Sequence, residues 1–254
     1  MESSYNTPAP EASAGATVTP KKSICSIIAN VFLAPAQAFA DFKPYPRILV
    51  PLILTVILGA LMAAVPAKYN AMLQVEIMQK STTLPPAVVE QMRQGIEDPK
   101  YVQAAILGGV LVVVIGIISA LICWALGGFI MGGQKTGFKS VWGVELLAGL
   151  IPMLGGVLRA ILIIIKGNAH VSFGLAALFP HMSYTSFMYL LMTFLDIFAI
   201  WSIIVAGIGF AIIFGLSRGK GIAVSAISWI IVMGAFLGLQ MVGMMLAGVE
   251  VTFF

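Results

Sequence analysis

The sequence is short of charge. Only 9% of its 254 residues are Asp, Glu, Lys or Arg, whereas 60% are hydrophobic. A soluble domain carries roughly 25% charged and 45–50% apolar residues, so this chain has too few charges to cover a water-facing surface of its size. Soluble globular and disordered classes are therefore excluded. The mean hydropathy of +1.03 indicates a protein surrounded mostly by lipid.

Cysteine and histidine are also scarce, and the sequence has no catalytic signature. Cys25 and Cys123 are too few for a disulfide framework. His170 and His181 stand alone, without the paired spacing that a metal site needs. The chain has no GxSxG elbow, no Walker loop and no HExxH. We therefore predict no catalytic residues, no metal and no cofactor, and we do not expect an enzyme.

Five runs with almost no charge are long enough to cross a bilayer, whose ~30 Å hydrocarbon core needs about 20 helical residues. They cover residues 48–65, 102–133, 141–165, 191–216 and 222–249. The fourth lies within a longer apolar stretch, whose polar first part, from His181 to Tyr189, is predicted to be an interfacial lead-in. The predicted fold is an all-α, five-helix transmembrane bundle over residues 46–249, with a hairpin of two short helices in the loop 66–99.

The N-terminal region has two parts. Residues 1–20 are rich in Ser, Thr, Ala and Pro and are predicted to be a disordered cytoplasmic tail. Residues 21–45 place apolar side chains at helical spacing after two lysines, which predicts an amphipathic helix on the membrane surface. The same stretch imitates a signal peptide cleaved near Ala40. The polar extension before it and the charge distribution oppose cleavage.

The distribution of Lys and Arg predicts the orientation of the chain. An inside N-terminus places eight of these residues on the cytoplasmic side, namely Lys21, Lys22, Lys43, Arg47, Lys135, Lys139, Arg218 and Lys220. Five lie on the other side, and acidic neighbours offset four of them. We therefore predict a cytoplasmic N-terminus and an outside C-terminus. The absence of any N-x-S/T glycosylation acceptor is compatible with a bacterial inner membrane. The formal charge of +4 then reflects membrane topology, so no nucleic-acid partner is expected.

Three charged residues lie inside the predicted spans, and each is a functional-site hypothesis because such groups are costly in lipid. Arg159 and Asp196 lie at similar depth by helical rise, which predicts an ion pair or a water-bridged contact between the third and fourth spans. We favour a structural clamp; a proton- or ion-handling pair and an Arg159 that snorkels to headgroups are the alternatives. Glu145 is expected near the inner interface. Its expected partners are the cations there, Lys139, Arg218 and Lys220.

Small residues pattern two of the spans. Gly128 and Gly132 end a stripe of small residues on the second span, and Gly234 with Gly238 forms a GxxxG motif in the fifth. Such spacing lets helix backbones approach closely. It predicts helix packing within the chain, with a dimer interface as the weaker alternative.

The motifs resemble those of the Yip1-domain membrane proteins, in particular their bacterial branch. The residues that carry the resemblance are Pro35 and Phe39, Ile151-Pro152, the stretch Leu195-Asp196-Ile197-Phe198-Ala199-Ile200-Trp201, and Gly207 with Gly209. The resemblance implies a five-helix bundle with a cytoplasmic N-terminus. Eukaryotic relatives bind small GTPases, but this chain has Asp41-Phe42-Lys43-Pro44-Tyr45-Pro46 in place of their acidic-aromatic motif. The sequence therefore does not support a GTPase partner.

The functional hypothesis follows from plentiful packing motifs and missing catalytic groups. We expect a non-enzymatic scaffold, adaptor or trafficking-type factor that lies in the lipid bilayer and contacts a membrane-protein partner or a second copy of itself. The alternative is a small transporter, or an accessory subunit of an export system, that moves an amphiphile past Arg159 and Asp196. That alternative predicts a continuous polar cavity that reaches Glu145.

Overall fold

A computed structural model describes residues 22–97 and 100–253. The predicted disordered tail, residues 1–20, lies outside the described residues. The described parts contain ten α-helices and no named strand. In chain order the helices are α1 (Ile24–Leu33), α2 (Pro35–Phe42), α3 (Leu49–Ala64), α4 (Ala67–Met78), α5 (Pro86–Gln94), α6 (Tyr101–Ala125), α7 (Phe138–Lys166), α8 (Phe187–Phe194), α9 (Ile197–Phe214) and α10 (Arg218–Leu246).

The architecture is an all-α polytopic membrane bundle, as predicted. Four helices among the described residues are long and apolar enough to cross a bilayer: α6 with the π-helical turn Leu126–Ile130, α7, α9 and α10. The fifth candidate is α3 followed by α4, with a bend of 55° between them. By itself α3 has 16 residues, or about 24 Å of helix, which is shorter than the hydrocarbon core. The loop 66–99 contains two short helices, α4 and α5.

The long central helix α7 organises the bundle. It packs against α1, α3, α6 and α9, while α10 packs against α9 and α6. The main core lies in the half of the bundle that contains the start of α7 and the end of α9. Its largest fully buried side chains include Phe39, Phe42, Leu147, Ile151, Phe210 and Phe214.

Residues 22–45 contribute to this core. The expected apolar face is present, but Ile27, Val31, Phe39 and Phe42 pack into the bundle instead of facing lipid. Ala34 and Pro35 divide the segment into two helices, because proline begins α2 and removes a donor that α1 would need to continue. The place of this segment relative to the bilayer surface stays a prediction.

The end of α9 is held by three polar residues from other segments. Its last carbonyl groups have no partner within the helix. Lys43 Nζ donates to the Ile212 oxygen at 2.9 Å, Thr136 Oγ1 to that of Ile213 at 2.9 Å, and Gln134 N to that of Phe214 at 2.7 Å. These bonds join the α2–α3 and α6–α7 connections to α9 at the end of the bundle that holds most of the basic residues. We call this end of the bundle the basic end.

Candidate functional site

Arg159 lies on α7 near the opposite end of the bundle, seven residues before the helix ends at Lys166. Its Nε donates to the Val171 oxygen at 2.7 Å, and its Nη2 to the Ala169 oxygen at 3.3 Å. Both acceptors belong to the loop that follows α7. Among the described residues no carboxylate lies within 4.0 Å of this guanidinium. Arg159 therefore fastens the loop to the helix and keeps an unneutralised charge.

Asp196 divides the fourth predicted span into two helices. Its backbone is extended, and its Oδ1 accepts a hydrogen bond from Ala199 N at 2.7 Å, so the residue is the N-cap of α9. Helix α8 ends at Phe194, and Asp196 pairs with Gly174 in an isolated antiparallel bridge. The predicted continuous helix over 191–216 is therefore interrupted, because aspartate favours a helix start over a helix interior.

Arg159 and Asp196 line the same cavity, although they do not form the predicted direct ion pair. The cavity has a volume of about 180 Å³. Gly155, Gly156 and Thr193 also line it, together with Met62 from α3. The cavity is thus lined by one basic and one acidic side chain. Each is hydrogen-bonded to nearby backbone groups and not to the other side chain. A water-bridged contact between them stays a prediction.

Tyr189 is near this cavity, on α8 outside the candidate spans. Burial raises the pKa of its phenol above the usual range, with a further rise from Tyr184 and a partial opposing effect from Arg159. The phenol is therefore neutral at physiological pH. Asp196 is the only acidic group in the described lining of the cavity, which leaves its carboxylate as the one negative charge there.

Glu145 has a different environment from the one predicted. The Cys123 thiol donates to its Oε1 at 3.2 Å, and no Lys or Arg within the described ranges lies within 4.0 Å of the carboxylate. The expected contacts with Lys139, Arg218 and Lys220 are therefore wrong. Lys139 precedes Glu145 by six residues, which at 100° per residue places the two about 120° apart around α7. Lys220 Nζ donates to the Met131 oxygen instead, at 3.3 Å.

The contacts of Glu145 belong to a small polar cluster between α6, α7 and α10. Ser119 lies one turn before Cys123 on α6. Its hydroxyl is 3.1 Å from that of Ser228, which is 1% exposed on α10. This cluster was not predicted, since single Ser and Cys residues inside apolar runs do not indicate which helix they face.

Comparison with known proteins identifies the family. The family model of the Yip1 domain matches residues 29–239. The chain belongs to the Yip1 domain family. No curated protein and no solved structure matches it.

The residues that carry the Yip1 resemblance have packing or capping positions. Phe39 is fully buried and lies close to Gly209, where a Cβ would be 3.1 Å from its ring. Phe198 packs on Gly155 in the same way and meets the ring of Phe173 edge to face at 5.7 Å. Trp201 meets Phe32 of α1 edge to face at 5.8 Å. Two of these contacts join α9 to the N-terminal segment of the Yip1 domain.

Pro152 lies inside α7 without ending it. Proline has no N–H, so it leaves the carbonyl of Ala148, four residues earlier, without its helical partner. The hydroxyl of Ser202 on α9 donates to that oxygen at 3.2 Å. A membrane-embedded helix tolerates proline when a neighbouring side chain satisfies the freed group. Ser202 was not predicted, although it directly follows Trp201, the last residue of the Yip1 motif stretch.

Among the residues that the structure describes, four glycines predicted to mediate packing, Gly128, Gly132, Gly234 and Gly238, have no close neighbour. A Cβ at Gly132, Gly234 or Gly238 would meet no heavy atom within 4 Å, and one at Gly128 would lie 4.0 Å from the nearest, in the ring of Phe214. Close contact occurs elsewhere in the Yip1 domain, at Gly207 of α9, where a Cβ would lie 2.5 Å from the Cα of Ile222. The stripe of small residues that Gly128 and Gly132 end does pack earlier on α6, at Gly108, where a Cβ would clash with the Cβ of Ala63 on α3. A dimer interface at Gly234 and Gly238 stays a prediction.

Proposed function

We propose that this Yip1-domain membrane protein is a non-enzymatic adaptor that uses its basic end to hold another membrane protein. One observation supports the proposal above others. Helices α1 and α2 are anchored by buried side chains, so their outward residues form a fixed surface on the bundle. This docking surface consists of mostly small, exposed residues on the outer side of the two helices: Cys25, Ser26, Ala29, Leu33, Ala36, Gln37 and Ala40.

The surroundings of the docking surface favour a partner with an apolar knob and acidic residues. Leu33 is 83% exposed and stands among small neighbours that leave room for a partner side chain. Asp41 is paired with Lys22 at 2.9 Å, so it does not offset the remaining cations. Those cations at the basic end are Lys43, Arg47, Lys135, Lys139, Arg218 and Lys220. A partner surface with the opposite charge would be attracted and oriented by them.

Photo-crosslinking in living cells tests the adaptor proposal. A photoreactive phenylalanine analogue replaces Ala29, Ala36 or Ala40, and the control carries it at Leu239 on the exposed face of α10. We expect one protein adduct of defined mass, or a crosslinked homodimer, from the first three positions and only lipid adducts from the control. Lipid adducts alone at all four positions, with a monomer in mild detergent, would contradict the proposal.

A second candidate, a transporter or export accessory subunit for an amphiphile, is favoured by the cavity at Arg159 and Asp196. Its volume admits a small polar group. The described lining does not include Glu145, so no continuous polar path to the basic end supports it. Dithionite bleaching of nitrobenzoxadiazole-labelled lipid in proteoliposomes tests the candidate. Transport predicts that inner-leaflet lipid bleaches faster with the wild type than with Arg159→Gln, and equal rates would reject it.

A further inference from the structure

We propose that the cavity at Arg159 and Asp196 binds the headgroup of a phospholipid that carries both a phosphate and an ammonium group, as in phosphatidylethanolamine. The inference does not depend on the adaptor role, because none of the residues that line the cavity belongs to the docking surface.

The charges in the cavity call for a ligand with both signs. Arg159 uses Nε and Nη2 for its two carbonyl contacts, and a guanidinium has a further amino group and a planar shape that suit phosphate oxygens. Asp196 uses Oδ1 for the cap of α9, which leaves Oδ2 to accept from an ammonium group. Because the two residues line one cavity and form no ion pair, a zwitterion satisfies both charges at once.

The volume of the cavity limits the size of its occupant. About 180 Å³ is well below the 300–1,000 Å³ of pockets that enclose drug-sized ligands. It corresponds to about six water molecules at ~30 Å³ each. A compact headgroup fits such a space, whereas a whole amphiphile does not. The rest of a lipid must therefore lie outside it.

The flanks of the cavity indicate where the acyl chains would lie. The residue before Arg159, Leu158, is 41% exposed, and the residue after Asp196, Ile197, is 67% exposed. Ile200, one turn further along α9, is 52% exposed. These side chains face outward from helices that cross the bilayer. They would contact acyl chains while the headgroup occupies the cavity.

The depth of Arg159 also suits a lipid phosphate. Helix α7 has 29 residues, or about 43 Å, which exceeds the ~30 Å hydrocarbon core by about 13 Å. If this excess is divided equally between the two ends, Arg159, about 10 Å from its end of the helix, lies about 4 Å inside the hydrocarbon boundary. A guanidinium at that depth reaches the phosphate layer, while the cavity gives it a fixed geometry.

Native mass spectrometry of the full chain in mild detergent tests the proposal. The probes are dioleoyl phosphatidylethanolamine and dioleoyl phosphatidylglycerol, which share acyl chains and phosphate but differ in the ammonium. Chain-free phosphoethanolamine serves as a competitor. We expect the wild type to retain the ethanolamine lipid about tenfold better than the glycerol lipid, and an excess of the chain-free competitor to displace little of it.

Two variants separate the roles of the charges. Asp196→Asn keeps a good N-cap for α9 and removes the negative charge, so we expect it to lose the preference for the ethanolamine lipid. Arg159→Gln is expected to lower retention of both lipids about tenfold or more. If that variant does not fold, Arg159→Lys keeps the charge without the planar donors and should weaken both lipids. Lys166→Gln removes an exposed cation from the same helix and should change nothing.

An Asp196→Asn protein that folds and keeps the wild-type preference overturns the assignment of the ammonium to Asp196. Undiminished retention by Arg159→Gln overturns the site as a whole. Efficient displacement by phosphoethanolamine keeps the headgroup chemistry but overturns the lipid as its source. The melting temperature without added lipid verifies that each variant is folded.

Discussion

At the scale of single residues, the most informative contact is the one that lets a proline stay inside a membrane helix. Pro152 removes the donor for the Ala148 carbonyl, and the Ser202 hydroxyl from α9 replaces it at 3.2 Å. The bond therefore depends on the proline, since any other residue at position 152 would supply its own N–H to the same oxygen. A double-mutant cycle can measure this dependence.

We expect Ser202→Ala to lower the free energy of unfolding by about 1 kcal/mol in the wild type. In a Pro152→Ala background the same substitution should have little effect, because the Ala148 carbonyl then has a helical partner. The measurement is reversible unfolding in mixed micelles, followed by circular dichroism. Equal losses in both backgrounds would show that Ser202 stabilises the protein by some route other than the freed carbonyl.

Glu145 leads to a second expectation at this scale. Its carboxyl group contacts the Cys123 thiol, and within the described part of the chain it has no cation within 4.0 Å. The amide of glutamine accepts the same bond without placing a charge between the helices. Glu145→Gln should therefore keep the stability of the wild type to within about 1 kcal/mol or increase it. A basic partner for Glu145 would instead make this variant clearly less stable.

Glu145→Lys is the contrasting variant. It places a cation in the same cluster between the helices, against a thiol that is a poor acceptor, and should lower stability by more than about 3 kcal/mol. Melting temperatures in one detergent, measured by intrinsic tryptophan fluorescence, compare the two variants directly. If Glu145→Lys melts like the wild type, the carboxylate site is open to water and the contact with Cys123 is incidental.

At the scale of the helices, sequence patterns located most elements but not their contacts. Uncharged runs marked α6, α7, α9 and α10, because length and hydropathy alone determine which segments can cross a bilayer. The break between α8 and α9 was not predicted, although Asp196 was identified as a charged residue within the span. The role of Asp196 as the N-cap of α9 depends on its extended backbone conformation, which the hydropathy pattern does not indicate. The partner of Glu145 was missed for a related reason: the rotation of a helix about its axis is set by packing against its neighbours.

The glycine spacing likewise did not indicate where helices approach most closely, and two variants can test this. Gly207 of α9 and Gly221 of α10 lie at a close approach of the two helices, where a Cβ at Gly207 would be 2.5 Å from the Cα of Ile222. We expect Gly207→Ala to lower stability by about 1–3 kcal/mol, because backbone atoms cannot move aside easily. Thermal melting of the purified protein measures the loss.

Gly238→Ala is the matched control, since it adds the same methyl group on α10 at a position where no packing neighbour in the described part of the chain lies within 4 Å. It should be neutral, or stabilising by up to about 1 kcal/mol through helix propensity. A loss of stability equal to that of Gly207→Ala would mean that a second copy of the chain packs on this face, and a smaller species by light scattering would confirm that interpretation.

At the scale of the whole molecule, charge is distributed unequally between the two ends of the bundle. At the basic end, Lys43 donates to the Ile212 oxygen near the end of α9, and Lys220 near the start of α10 donates to the Met131 oxygen after α6. The sequence had grouped these cations on one side from the positive-inside rule, and the fold brings their segments together. That the basic end faces the cytoplasm is a prediction, and labelling tests it.

The two native cysteines make that experiment direct. Cys25 is exposed on α1 and Cys123 is buried on α6, so a membrane-impermeant maleimide should react with Cys25 alone. We expect labelling in inside-out vesicles and none in right-side-out spheroplasts, because the basic end should face the cytoplasm. In a Cys25→Ser background, a cysteine in place of Arg93, exposed on α5 at the other end, should give the reverse pattern. If both positions are labelled from the same side, the chain crosses the membrane an even number of times between them. The bent pair α3 and α4 would then not form a span, and the predicted five-span topology would be wrong.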